Sequence, residues 1–194
     1  SFQSIKTITT GDGGMLIVSN EEDYKKAKLM RWFGIDRERE IPDDWAAYKQ
    51  RMMSFDIETI GYKRHMNDIA ATFGLCGLKD YYKVLEHRKK IFEIYKSRLS
   101  NTGGIKLING KINVHWLATL LVERRDDFAK KLWEAGIETN LVQIRNDIYK
   151  IFGGKRADLP VLNSIEDKYI SIPIGMHVSE EGAHFICSII NSGW

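Results

Sequence analysis

The stretch Ser1-Phe2-Gln3-Ser4-Ile5-Lys6-Thr7-Ile8-Thr9-Thr10-Gly11-Asp12-Gly13-Gly14 decides how the rest of the chain is read. A lone lysine, Lys6, stands between hydroxyl side chains and a glycine cluster. Threonine and isoleucine favour the pleat, and the glycines supply backbone angles closed to other residues. Residues 2–8 and 14–18 therefore read as β-like, joined by the turn at 9–13. A glycine turn of this kind can bring backbone N–H groups near a phosphate. A lysine amine is a competent Schiff-base nucleophile when its surroundings favour the neutral form. A hairpin with a surface lysine accounts for the same residues and, on composition alone, is the commoner arrangement.

Outward from this segment, the bulk properties set bounds. A chain of 194 residues suits one large domain or two small ones with a proper core. With 43% hydrophobic residues and three prolines it reads as an ordinary globular protein. The formal net charge of +3 is mild and both signs are interspersed, which gives no case for a nucleic-acid surface. Cys76 and Cys187 lack a CxxC partner, so buried reduced thiols are expected and no metal site. No apolar run approaches membrane-spanning length and no signal peptide opens the chain, so the cytoplasm is the expected compartment. The sequence opens at Ser1 inside what reads as a strand, and a fragment of a longer protein is expected.

The coarse pattern is mixed α/β. Ser19 or Asn20 caps a helix with an acidic first turn, Glu21-Glu22-Asp23, running to about Trp32 and stopping before Gly34. Residues 35–60 read as a long loop with room for one helical turn. Asp68 begins a helix in which Ile69, Phe73 and Cys76 share a face, while Ala70, Gly74 and Gly77 form a small stripe for close packing. Apolar residues continue at helical spacing from Leu78 to Leu99, ending before Gly103-Gly104. Strands are expected at 105–108, 114–122, about 137–142 and 170–173. Helices are expected at 126–135, closed by Gly136, and after Ser179.

Several ordered blocks together resemble the DegT/DnrJ/EryC1/StrS family of pyridoxal-phosphate (PLP) sugar aminotransferases. They are Ser1-Phe2-x-x-x-Lys6-x-x-x-x-Gly11-Asp12-Gly13-Gly14, Leu29-x-Arg31-x-x-Gly34, and Gly61-Tyr62 with Met66-Asn67-Asp68-Ile69-Ala70-Ala71. Ala135-Gly136-Ile137-Glu138-Thr139, Leu159-Pro160 and Ile172-Pro173 follow in family order. The resemblance covers essentially the whole chain and implies a type I PLP-dependent transferase fold, aspartate aminotransferase-like. Residues 1–78 would be the remainder of the large PLP-binding domain. Residues 79–194 would be a small C-terminal α/β domain led by the long helix.

The same resemblance implies roles for particular residues. Lys6 would be the catalytic lysine that joins PLP through a Schiff base, and Ser1 would hydrogen-bond the cofactor phosphate. The block from Gly61 to Asp68 would lie near a neighbouring subunit's cofactor, since family members are homodimers. Lys63 stands where the family's asparagine reaches that phosphate, and could serve it as a point charge. His65 replaces a more usual arginine or asparagine. Arg31, His65 and Arg145 are candidates for substrate contact. The implied reaction makes an amino sugar from a nucleotide-linked keto sugar, with glutamate or glutamine as amino donor. Lys6 in place of histidine favours aminotransfer over dehydration.

Blander readings stand beside these. His115 and His177 could touch substrate, although isolated histidines near strands are more often packed or exposed. Trp32, Phe33 and Trp45 could stack on a nucleotide base, with core or dimer packing the simpler reading. In the family, the carboxylate for the pyridinium nitrogen and much of the phosphate cup lie upstream of the lysine, so this polypeptide alone is expected to be inactive. The runner-up function is a non-catalytic structural or regulatory chain that keeps the fold and dimer surface. A nucleic-acid module ranks below both.

Overall fold

The structure, a computed structural model, describes residues 1–38, 56–110 and 113–194. The chain divides into two units, Ser1–Leu78 and Lys79–Trp194.

In the first unit, helix α1 spans Glu21–Arg31. Asn20 caps it through Oδ1, which accepts the Asp23 N–H at 2.8 Å, and acidic residues fill the first turn as the helix dipole favours. Gly34, at φ 77°, turns the chain out of the helix and donates its N–H to the Leu29 carbonyl at 2.9 Å. Residues 39–55, including Trp45 and most of the expected long loop, lie outside the described residues.

Helix α2 spans Asp68–Leu99 without interruption, begun by Asn67, whose Oδ1 accepts the Ala70 N–H at 2.9 Å. Gly74 sits inside it where a side chain would meet Thr10 Cγ2 at 2.9 Å, and at Gly77 a Cβ would meet Ile8 Cγ2 at 3.6 Å, an ordinary contact. The small stripe is thus the packing face of the helix's first turns. The apolar residues Ile69, Phe73 and Cys76, grouped on one face in the sequence, are exposed. The expectation that both cysteines are buried therefore fails for Cys76 and holds for Cys187.

The strands expected at 2–8 and 14–18 are absent. Residues 4–8 form a turn and bends and 14–18 carry no regular structure; around Lys6 the N–H groups and hydroxyls close a loop on itself and find no ladder partner among the described residues.

The second unit holds a three-stranded antiparallel sheet in the order β1 (Ile105–Leu107), β2 (Ala118–Val122), β3 (Tyr169–Ile172). Ile105 pairs with Val122, and Ala118 with Ile172. Ala118, Leu120 and Val122 point into the core at period two, while Thr119 on the other face meets the Ser171 hydroxyl at 3.1 Å. Ile91, Phe92, Tyr95 and Leu99 of α2 supply the helical stripe of the same core. Phe128 and Leu132 of α3 (Arg125–Glu134) and Ala183, Ile186 and Ile190 of α5 (Glu180–Asn191) complete it. Burying side chains of this size contributes roughly 1.5–3 kcal/mol each. The Tyr95 hydroxyl reaches the Pro173 carbonyl at 2.6 Å, and burial pushes its pKa up.

Two expected strands are shorter than their pattern. Residues 137–142 contribute only the bridge Asn140–Ser171. Residues 114–117 stay outside β2 because His115 takes a left-handed φ of 49°, fixed by Asn113 Oδ1 accepting its N–H at 2.7 Å. Two 3-10 turns, Asn146–Ile148 and Lys150–Phe152, and the short helix α4 (Pro160–Ile165) were not expected; Pro160 at its first turn starts α4.

Candidate active site

Lys6 lies in a loop whose ends are tied together. The Phe2 N–H donates to the Gly13 carbonyl at 2.9 Å, and the Thr10 N–H donates to the Phe2 carbonyl at 2.9 Å. Thr9 Oγ1 donates to Phe2 O at 3.2 Å and accepts the Gly11 N–H at 2.9 Å, while Thr10 Oγ1 donates to Asp12 O at 2.6 Å. These two hydroxyls thus hold the loop together. A Cβ on Gly13, at φ 144°, would sit 2.8 Å from Thr10 Oγ1 and 3.1 Å from Met66 Cε, so only glycine closes this corner.

Within the loop, Ser1 and Lys6 are linked through Gln3. Ser1 Oγ accepts the Gln3 N–H at 3.4 Å, and the Gln3 carbonyl accepts the Lys6 N–H at 2.9 Å. A half-buried primary amine and an exposed hydroxyl thus share one short, internally bonded segment. This donor set suits the aldehyde and phosphate ends of PLP, so the residues present fit that cofactor.

A second group forms where the end of α1 meets residues 61–64. Trp32 and Lys63 form an antiparallel bridge. The Tyr62 N–H donates to Met30 O and the Arg64 N–H to Arg31 O, each at 2.9 Å. The crossing is tight: a Cβ on Gly61 would lie 2.1 Å from the Gly34 nitrogen, and one on Gly34 would lie 1.9 Å from Thr59 O. Arg31, Lys63 and His65 are brought together here, with the His65 ring 5.8 Å from the Trp32 ring. Met66 then reaches Gly13, which joins this crossing to the Lys6 loop.

Arg145 does not fit the substrate role expected for it. Its guanidinium is buried and all of its N–H groups are engaged. Nε and Nη2 bind the two Asp147 oxygens at 2.7 and 2.5 Å. Nη1 binds Asn163 Oδ1 and Glu166 Oε2, both at 2.7 Å, and Nη2 also reaches the Arg156 carbonyl at 3.4 Å. Lys155 pairs with the other Glu166 oxygen. Arg145 holds the Asp147 carboxyl below the usual carboxylate range, and Lys155 together with Arg145 does the same for Glu166. The hub fastens the 3-10 turns to α4. A sequence signal was available in the Arg145-x-Asp147 spacing, but its partners Asn163 and Glu166 are distant in the chain.

The two isolated histidines also receive structural surroundings. His115 packs on Phe92 with ring centroids 4.3 Å apart, and its Nδ1 is shielded with no partner among the described residues. Burial lowers its pKa. Arg88 Nη1 donates to the carbonyls of His115 and Trp116 at 3.3 and 2.8 Å. The His177 ring lies against Gly175, where a Cβ would meet it at 2.7 Å. Among the described residues, no cluster of His, Cys, Asp and Glu could hold a metal ion, and no helix is long and apolar enough to cross a membrane.

The fold is that of the PLP-dependent transferases of the type I class. The chain belongs to the DegT/DnrJ/EryC1/StrS aminotransferase family, whose pattern matches residues 1–191. It is 33% identical over 190 residues to an uncharacterized protein of Methanocaldococcus jannaschii, covering 90% of this chain and 47% of that one. It is 25% identical over 195 residues to the GDP-perosamine synthase of Escherichia coli O157:H7, covering 98% of this chain and 50% of that one. The sugar aminotransferase CalS13 from Micromonospora echinospora superposes with a TM-score of 0.89 at 27% identity, over 100% of this chain and 51% of that one. The chain spans about half the length of the curated relatives it matches.

Proposed function

We propose that this chain carries the lysine-bearing part of a PLP-dependent aminotransferase that makes an amino sugar from a nucleotide-linked keto sugar, with glutamate or glutamine as donor. The observation that carries the reading is Lys6 on a self-bonded loop beside Ser1, packed on the small stripe of α2. The family membership and the likeness to GDP-perosamine synthase support the substrate class. When bound, PLP supplies an electron sink for the carbon that loses its proton.

The chain's own residues then have distinct tasks. The Lys6 amine would hold the cofactor's aldehyde end, and Lys6 Nζ would take the proton from the donor's α-carbon and return one to the carbon that receives the amine. The Ser1 hydroxyl donates to the cofactor phosphate, and the Lys63 ammonium meets a phosphate as a point charge. Arg31 and His65 face substrate. Residues 1–78 act as part of the large domain and 79–194 as the small one.

We place a second copy of the chain against the apolar side chains left open in the first unit, Ile69, Phe73, Leu75 and Leu78. Turnover by these 194 residues alone is expected to be negligible.

Borohydride trapping tests the reading. The protein is incubated with PLP, reduced, digested and mapped by mass spectrometry. The expected result is a pyridoxyl group on Lys6 in preference to the other lysines. Labelling spread evenly over surface lysines in a longer version that also carries the upstream half of the pocket would refute the Lys6 assignment.

A further inference from the structure

We propose that residues 113–117 form a strap that Arg88 latches onto α2 and that is released when His115 takes up a proton. The latch is one nitrogen serving two carbonyls: Arg88 Nη1 donates to His115 O at 3.3 Å and to Trp116 O at 2.8 Å. One helical turn further along α2, the fully shielded Phe92 ring receives the His115 ring, with centroids 4.3 Å apart. Arg88 and Phe92 are four residues apart, so both contacts fall on one face of the helix. The strap bends to meet that face at His115 itself, whose φ is 49° and whose N–H donates to Asn113 Oδ1 at 2.7 Å.

Closure leaves polar atoms unsatisfied. Arg88 Nε and His115 Nδ1 are shielded and have no partner among the described residues, whereas folded proteins pair nearly all such atoms. Opening the strap gives both atoms water and relieves the left-handed backbone of a residue with a Cβ. The strap therefore belongs to the part of the fold that opens most easily. A neutral imidazole tolerates this setting better than an imidazolium, because a shielded charge without a partner costs far more than a shielded neutral atom. The charged groups of α2 around the ring are Arg88, Lys89 and Lys96 against Glu93, and Glu93 is engaged by Lys96 at 3.4 Å. His87, the other imidazole on this stretch, keeps its own Nε2 shielded without a partner among the described residues. The face of Phe92 favours a cation, but burial outweighs it and lowers the His115 pKa; Glu93 opposes that shift, and Lys89 and Lys96 reinforce it.

The direction of the switch follows. In the open strap His115 titrates near its ordinary value of about 6.5, and in the closed strap it titrates lower. Closure is fully favoured above about pH 6.5, and the opening constant rises as pH falls below it, by at most about tenfold per pH unit, until the closed value is passed.

Amide hydrogen exchange on the full chain tests the strap, with protection at each pH taken relative to the intrinsic exchange rate. Between about pH 7.5 and about pH 5.5, protection of the His115 amide should fall at least about threefold. The Val122 amide, bonded to Lys168 O at 2.8 Å, should hold its protection. His115→Asn, which tolerates the left-handed backbone, should abolish the pH response. Arg88→Met keeps an unbranched stem and loses both donations, so it should lower His115 protection by about tenfold or more even at neutral pH. A His115 amide whose protection does not change with pH would overturn the strap. So would a parallel loss at Val122, which would make the event an unfolding of the sheet. The same pH response in His115→Asn would move the trigger to His87 and overturn the assignment, and wild-type protection in Arg88→Met would remove the latch.

Discussion

Gly61→Ala tests whether the crossing is what assembles the substrate-facing residues. The new Cβ would stand 2.1 Å from the Gly34 nitrogen and 2.7 Å from the Phe33 carbonyl carbon. Ordinary contact begins near 3.4 Å, so the segments must separate by about 1.3 Å, the difference between 3.4 and 2.1. Hydrogen bonds from Tyr62 and Arg64, now 2.9 Å, would open to about 4.2 Å and cease to exist as bonds. Two backbone bonds at roughly 0.5–1.5 kcal/mol each, with overpacking of about 1–3 kcal/mol, give a local loss of about 2–6 kcal/mol.

Amide hydrogen exchange reads this directly. At about 1.4 kcal/mol per tenfold, protection at the Tyr62 and Arg64 amides should fall by at least about 30-fold. The Val122 amide, bonded to Lys168 O at 2.8 Å in the second unit, serves as the control and should not change. Wild-type protection at Tyr62 and Arg64 in the variant would show that the close approach does not hold the crossing, and the account of Arg31, Lys63 and His65 as one group would fall with it.

Three further outcomes follow from the same contacts. Gly74→Val places bulk where a Cβ alone meets Thr10 Cγ2 at 2.9 Å, so it should displace the Lys6 loop and lower selective pyridoxyl labelling of Lys6 severalfold, read by the trapping assay. His115, its pKa lowered by burial, is charged more readily unfolded than folded. Its share of stability is therefore present above about pH 6.5 and declines as pH falls through the lowered folded value. Urea midpoints of wild type should drop across that interval, while His115→Asn, which tolerates the left-handed backbone, should flatten the drop. Asp147 is depressed by Arg145 and Glu166 by Lys155 and Arg145, so their contribution is present above the ordinary carboxylate range and is lost as pH falls below about 4. Asp147→Asn should lower the urea midpoint at pH 7 and reduce its acid dependence, and an unaltered pH profile would count against the hub.

Local signals written in consecutive residues were legible without coordinates. The sequence by itself determined where α1, α2 and α5 begin and where α3 ends, because caps such as Asn20 and Ser179 and stops such as Gly136 act within a turn of the helix they bound. It also determined the family, since ordered motifs around Lys6, Arg31 and Gly61 survive as a pattern. Non-local hydrogen bonding was not legible. The Thr-Ile run around Lys6 has strand propensity, yet its donors are consumed by its own loop, and the run at 137–142 keeps a single bridge, at Asn140. Arg145 looked like a ligand-binding residue because its partners Asn163 and Glu166 are 18 and 21 residues away. Only the tertiary structure set the Arg64 backbone beside that of Arg31 and left Phe73 open. Those outcomes depend on which backbones can approach within a Cβ's width, and sequence spacing does not record that distance.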